Sequence, residues 1–273
     1  MDLAYWGFDR WPFQRQREGE LRVGAVYEEA LARLLFLVDE HRRCGLLTGP
    51  AGIGKTRLLR DVKRHTQRQG QLCVELDATG ISANDFAWQV ADQLHADCQP
   101  DSSPVKCWSH IQRQLANLAV IGQPIVILID NIDDATSGVT ESVRRLMNLA
   151  DGVGSATVLA TARDAALIDE LHDEIELSVE LTAWSETETS QFINETLRRS
   201  RARQPVFSAE AIMAVHDATQ GNPNQVIRMC DLALLAAMTD DCRNVDVSVI
   251  AAVNLELNPS RSRSQRTQSA AVH

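Results

Sequence analysis

The octapeptide Gly49-Pro50-Ala51-Gly52-Ile53-Gly54-Lys55-Thr56 restricts the folds open to this chain more than any other segment. It matches G-x-x-x-x-G-K-[ST] in full, after an apolar run and before a segment of helical period. Glycines let the backbone curl so that successive N–H groups point inward at phosphate oxygens, and the following helix adds its positive end. Lys55 reaches the β- and γ-phosphates, the Thr56 hydroxyl joins a Mg²⁺ shell, and Arg57 adds a further cation. The residues from Gly49 to Arg57 are therefore expected to bind nucleotide, with ATP and Mg²⁺ as the bound groups.

That loop needs a parallel sheet behind it. Strand-like runs at Gly45–Thr48, Leu72–Asp77, Ile125–Asp130, Thr157–Ala162 and Ile175–Val179 alternate with helical segments near 55–69, 84–96, 105–119, 138–150 and 164–171. Ile125 to Ile129 is apolar at every position, as a strand covered on both faces requires. After Leu181 no strand-like run follows. Ser185-Glu186-Thr187-Glu188 opens a helix to about Arg203 as a capping box; Ser208 caps a second through Gln220; Pro223 starts a third to Met238; a fourth covers Asp246–Leu257. The fold class expected is α/β, a P-loop NTPase with a five-stranded, mainly parallel sheet and a small all-helical C-terminal lid. Its parts are an N-terminal arm (1–24), which the resemblance given below would place near the nucleotide, the ATPase core (25–181), the lid (182–258) and a disordered basic tail (259–273).

Charge and cysteine usage exclude other classes. Residues 1–70 carry a net +4 and residues 71–260 a net −17, an acidic body that argues against a nucleic-acid coat. Disorder is excluded by a hydrophobic content of 44%. The six cysteines form no CxxC pair and several lie in apolar runs, which favours neither zinc nor disulfides. No signal sequence and no run of 18 apolar residues is present, so a cytoplasmic chain is expected, peripheral to the inner membrane only through a partner.

A second acidic group must help hold the metal from the end of a buried strand, and Asp130 is so placed. The next residue, where many such ATPases carry a glutamate that polarises water, is Asn131, which cannot take a proton at neutral pH. Asp133 and Asp134 could stand in through a local turn, or be solvated loop carboxylates. Losing a positioned base costs ~10²–10⁴ in rate, so slow hydrolysis is expected. At the end of the fourth strand, Thr161 can act as a sensor, and Arg163 either stabilises phosphate charge or pairs on the surface with Asp164 or Asp169. The expected catalytic set is Lys55, Asp130, Asn131, Thr161 and Arg163, with Thr56 and Asp130 on the metal.

With these motifs placed, the chain resembles the ExeA/GspA-like (general secretion pathway protein A) AAA+ ATPases. Trp6-Gly7-Phe8 and Trp11-Pro12-Phe13 look like the opening element of that family, which packs near the adenine, and on the residues alone they form an apolar arm stapled to a core. Tyr27 to Leu34, Glu141 to Leu149, and Gly221-Asn222-Pro223-Asn224 through Leu235 are similar to three of its helices. The resemblance adds Phe13, Pro223 and Arg228 to the nucleotide-binding set. Departures are Asn131 for the usual Glu, Asn224 for the lid Arg, with Arg228 one turn later, and Thr161-Ala162-Arg163-Asp164 after the fourth strand, closer to signalling STAND ATPases.

The resemblance implies ATP-driven lid movement, a homo-oligomer with an Arg supplied in trans (Arg144, Arg145 or Arg163), and a secretion or pilus machinery partner. Two other readings stay open. One is a transposition or regulatory ATPase similar to TniB and MuB, with Arg10, Arg15, Arg17, Arg22 and the tail on DNA phosphate, less favoured because of the acidic body. The other is a nucleotide-dependent switch that hydrolyses rarely.

Overall fold

The computed structural model describes residues 3–13, 24–202 and 204–258, apart from the side chain of Asp169. Arg15, Arg17, Arg22, Arg203 and the tail 259–273 lie outside the described residues. The chain divides into two units, Ala25–Thr182 and the pairing of Met1–Gly24 with Ala183–His273.

The first unit is the α/β part. α2 (Ala25–Asp39) leads into β1 (Cys44–Thr48), α3 (Lys55–Arg68), β2 (Leu72–Asp77), α4 (Ala83–Gln93), α5 (Pro104–Val120) and β3 (Ile125–Asp130). A 3-10 turn (Ile132–Asp134), α6 (Val139–Val153), β4 (Ala156–Ala162), a kinked 3-10 run (Ala165–Glu174) and β5 (Leu177–Glu180) complete it. Sheet order is β2-β3-β4-β1-β5, with every pairing parallel. β1, β3 and β4 are buried at every position, because helices cover both faces. Leu46, Ile127 and Val158 pack with α4, α5 and α6 on one side, and Leu47, Leu128 and Leu159 with α2 and α3 on the other.

All five strand expectations stand: β2 and β3 keep the expected ends, and the ends of β1, β4 and β5 move by one or two residues. The helix expected at 164–171 differs: Asp164 caps Ala166, but Ile168 leaves helical geometry, and the segment stays a kinked 3-10 run. The reading of the cysteines is corrected. Cys98, between α4 and α5, and Cys107, on the first turns of α5, form a disulfide across a Cα separation of 5.6 Å. Packing of α4 on α5 brings them together, and an eight-residue spacer without a CxxC signature gave no sign of it.

The second unit is helical. α7 (Glu186–Arg199), α8 (Ala209–Thr219), α9 (Pro223–Thr239) and α10 (Val247–Leu257) start at Ser185, Ser208, Asn222 and Asp246, and each of these side chains accepts an N–H of its helix's first turn. At Ser185 the expected capping box is complete, with Glu188 reaching back to the Ser185 N–H at 2.9 Å. The short α1 (Leu3–Trp6) and the aromatic residues Trp6, Phe8, Trp11 and Phe13 belong to the core of this unit. Phe13 lies 6.2 Å from both Phe192 and Phe207, and the Trp11 indole N–H donates to Asp231.

Candidate nucleotide site

The site is assembled at the C-terminal ends of the strands, where open α/β sheets hold their ligands. β1 delivers the loop 49–54 between two neighbours, β4 and β5. Gly49 has φ +145°, and a Cβ there would meet the Leu181 carbonyl at 2.5 Å. Gly54, at φ +114°, is the N-cap of α3 and supplies no side-chain cap. The leading N–H groups of α3 are thus left to an outside acceptor, which is the chemistry a polyphosphate satisfies. Thr56 is the second residue of α3, as a metal-shell hydroxyl requires.

Lys55 is buried and its ammonium donates to the carbonyls of Gly49 at 2.5 Å and Pro50 at 3.2 Å, so it is folded back over the loop. Burial pulls its pKa below the usual lysine value, opposed first by the Asp133 carboxylate and then by Asp130.

Asp130, buried at the end of β3, accepts the Thr161 hydroxyl and, at 3.1 Å, the Asn131 N–H. Both bonds fall on Oδ1. The Thr161 oxygen also accepts the Asn131 N–H at 3.0 Å, so in this arrangement Thr161 holds the metal-strand carboxylate. The donor types, a hydroxyl at the exposed Thr56 and a carboxylate at the buried Asp130, are of the kind that Mg²⁺ takes.

Asn131 sits in the left-handed region at φ 54°, ψ 45°, where asparagine is tolerated better than a longer side chain. Its amide donates to Asp77 Oδ1 at 3.1 Å. Asp77 ends β2, in register with Asp130, and sequence reasoning passed it over; its place at a strand end beside the metal strand is the signal that could have found it. Hydrogen bonds, the Thr79 hydroxyl first, hold its carboxyl below the usual range.

Beyond Asn131 the 3-10 turn carries Asp133 and Asp134. Arg163, from the end of β4, donates its Nε to Asp133 Oδ2 at 2.6 Å and also pairs with Asp134. The surface-pair reading of Arg163 therefore has different partners from those expected. Asp164 instead caps the following turn. The two acids are unlike: the Asp133 side chain is 1% exposed and that of Asp134 is 41% exposed.

Arg57, beside Thr56, is half-buried, and its Nε and one Nη are without a hydrogen-bond partner. Arg144 pairs with Glu141 and Glu174, and Arg145 lies 4.7 Å over the Trp108 ring. Phe13, Pro223 and Arg228 are in the helical unit: Phe13 is in its core, Pro223 is on the first turn of α9, and Arg228 is on that helix's exposed face. Among the described residues no group of three or more His, Cys, Asp or Glu side chains is set to hold a metal by itself, and no helix is long and apolar enough to cross a membrane.

Residues 38–168, which span β1 to β4, match the family described as AAA domain. The chain is 25% identical over 265 residues to general secretion pathway protein A of Aeromonas hydrophila, covering 92% of this chain and 48% of that one. It thus spans about half the length of that relative. Solved structures share the fold at low identity. Cdc6p from Pyrobaculum aerophilum aligns with TM-score 0.70 at 12% identity over 90% of this chain and 68% of its own. For the Aeropyrum pernix ORC1 protein in complex with DNA the values are 0.69, 13%, 92% and 70%, and for Drosophila ORC bound to DNA 0.71, 16%, 90% and 64%. Residues 38–168 thus carry an AAA-type ATPase domain, in a chain that is similar over most of its length to general secretion pathway protein A.

Proposed function

We propose that the chain binds ATP with Mg²⁺ on the loop between β1 and α3 and hydrolyses it slowly. The observation that carries slow turnover is at position 131, where an amide stands after Asp130 and is bonded away to Asp77 at 3.1 Å. Lys55, the N–H groups at the start of α3, and Arg57 would hold the phosphates, with Thr56 and Asp130 on the metal. Mg²⁺ supplies neutralisation of the β- and γ-phosphate charge. Thr161 fixes Asp130, and Arg163 is a further cation available to the terminal phosphate.

The relation to general secretion pathway protein A supports a role in assembling a secretion or pilus apparatus, as a homo-oligomer on ATP, cytoplasmic and held at the inner membrane by a partner. DNA binding is the alternative, and it would show as steeply salt-dependent affinity for duplex DNA.

Thermal unfolding with and without ATP·Mg²⁺, paired with phosphate release, tests the reading. Ligand at a hundred times its Kd stabilises by ~2.7 kcal/mol. The expected result is such a rise with turnover under ~1 s⁻¹, the low end for enzymes. Many turnovers per second, or no stabilisation, would overturn it.

A further inference from the structure

Asn131 leaves the site without a base at the expected position, yet four carboxylates stand at this edge of the sheet. Asp130 is committed through Oδ1 to Thr161 and to the Asn131 N–H. Asp77 ends the outermost strand, separated from β1 by β3 and β4, and its Oδ1 is occupied by Thr79 at 3.0 Å and 2.7 Å and by Asn131. Asp134 is open to water. Of the three besides Asp130, Asp133 alone has a buried side chain, 1% exposed; it pairs with Arg163, whose own carbonyl accepts the Gly49 N–H of the phosphate loop at 3.3 Å, and its charge, like that of Asp130, acts on Lys55.

The backbone explains how a residue three positions past Asp130 returns to the site. The left-handed turn at Asn131 and the single 3-10 turn after it fold the chain back. That turn is tied down from the loop after β2: the Gly80 N–H donates to the Asp134 carbonyl at 3.0 Å, and the Thr136 hydroxyl to the Ile81 carbonyl at 2.7 Å. A glutamate at 131 would be strained in this backbone, whereas asparagine is tolerated there. The turn and the displaced carboxylate thus belong together.

We infer that Asp133 is the catalytic base of this site, in place of the residue that follows Asp130, and that its ion pair with Arg163 masks it until a terminal phosphate draws the guanidinium away. This rests on the ATPase reading above. In the step, a water oxygen bonds to the γ-phosphorus as one water proton passes to the Asp133 carboxylate. The bond between the γ-phosphorus and the β,γ-bridging oxygen breaks, its electron pair staying with ADP. The proton on Asp133 then passes to the released phosphate, restoring the carboxylate. Masking by Arg163 keeps that acceptor engaged in the resting site, which is consistent with a slow enzyme.

The test compares the wild-type chain with Asp133→Asn, Asp134→Asn and Asp77→Asn. Turnover is followed over hours with enzyme in excess of ATP, and affinities for fluorescent ATP and ADP analogues are measured on the same samples. Removing a base is worth ~10²–10⁴ in rate, so Asp133→Asn is expected to lose hydrolysis by that factor. It should also bind the triphosphate several-fold more tightly relative to the diphosphate, because a negative group facing the terminal phosphate is gone. That affinity ratio does not depend on turnover. If the wild-type chain binds no ATP, the ATPase reading itself fails. If it binds ATP and Asp133→Asn hydrolyses at the wild-type rate, or the loss falls on Asp77→Asn or Asp134→Asn instead, the base assignment is wrong. A wild-type chain that binds ATP and never hydrolyses it also overturns the assignment.

Discussion

Asn131 donates its side-chain amide to Asp77 at 3.1 Å, tying the residue just after β3 to the last paired residue of the neighbouring β2. The bond has a charged acceptor but a partly open setting, so its net worth is on the order of 1 kcal/mol. A double-mutant cycle with Asp77→Ala and Asn131→Gly measures it by urea unfolding. Glycine keeps the left-handed backbone at 131, and the cycle then reports the side-chain bond alone. A coupling near zero would mean that the two groups do not interact in solution.

Gly49 and Gly54 both take left-handed backbone angles, but only Gly49 is hemmed in. A Cβ at Gly49 meets the Leu181 carbonyl, whereas one at Gly54 meets nothing within 4 Å. Gly54→Ala is expected to cost on the order of 1–2 kcal/mol from backbone strain. Gly49→Ala adds a clash with main chain that cannot swing aside, and should cost ~1–3 kcal/mol more. Equal losses in chemical denaturation would show that the close approach at Gly49 is relieved.

Much of this arrangement was legible in the sequence, and the failures have physical causes. The apolar run Ile125–Ile129 and the octapeptide fix their own local geometry, and so do Ser185 with Glu188. Each is a contact between residues near in sequence or a pattern repeated every residue. The bonds at 77–131 and 133–163 pair residues 54 and 30 positions apart, and nothing local marks them. Cys98 and Cys107 are close in sequence, but only the packing of two helices decides that their sulfurs meet. In the sequence Asn131 marks a loss of chemistry, while its left-handed backbone gives it a conformational task as well.

Phe13 is 2% exposed in the core of the helical unit, between Phe192 and Phe207. Phe13→Ala should therefore cost ~3–5 kcal/mol, the range for a buried phenylalanine. The loss belongs to the helical unit, so amide exchange should quicken in α7 and α8 while β3 and β4 keep their protection. Uniform loss across both units would contradict this placement.

The cysteines give a chemical test of the whole packing. Cys44 is enclosed in β1, and burial pushes its thiol up to about 12. Cys73 is pushed up to about 11, and Cys230 is raised too, again by burial. Only thiolate reacts with alkylating agents, so at pH 8 the reactive fraction of Cys44 is on the order of 10⁻⁴. Cys242 is exposed. Brief alkylation of the native, non-reduced protein should label Cys242 first and leave Cys44 and Cys230 unmodified. Cys98 and Cys107 should be recovered as one linked peptide by mass spectrometry without reductant. Adding reductant should release both, and opening so short a loop should lower stability by ~2–3 kcal/mol. Native labelling of Cys44 or Cys230 would contradict the core, and separate, alkylated Cys98 and Cys107 peptides would contradict the link between α4 and α5.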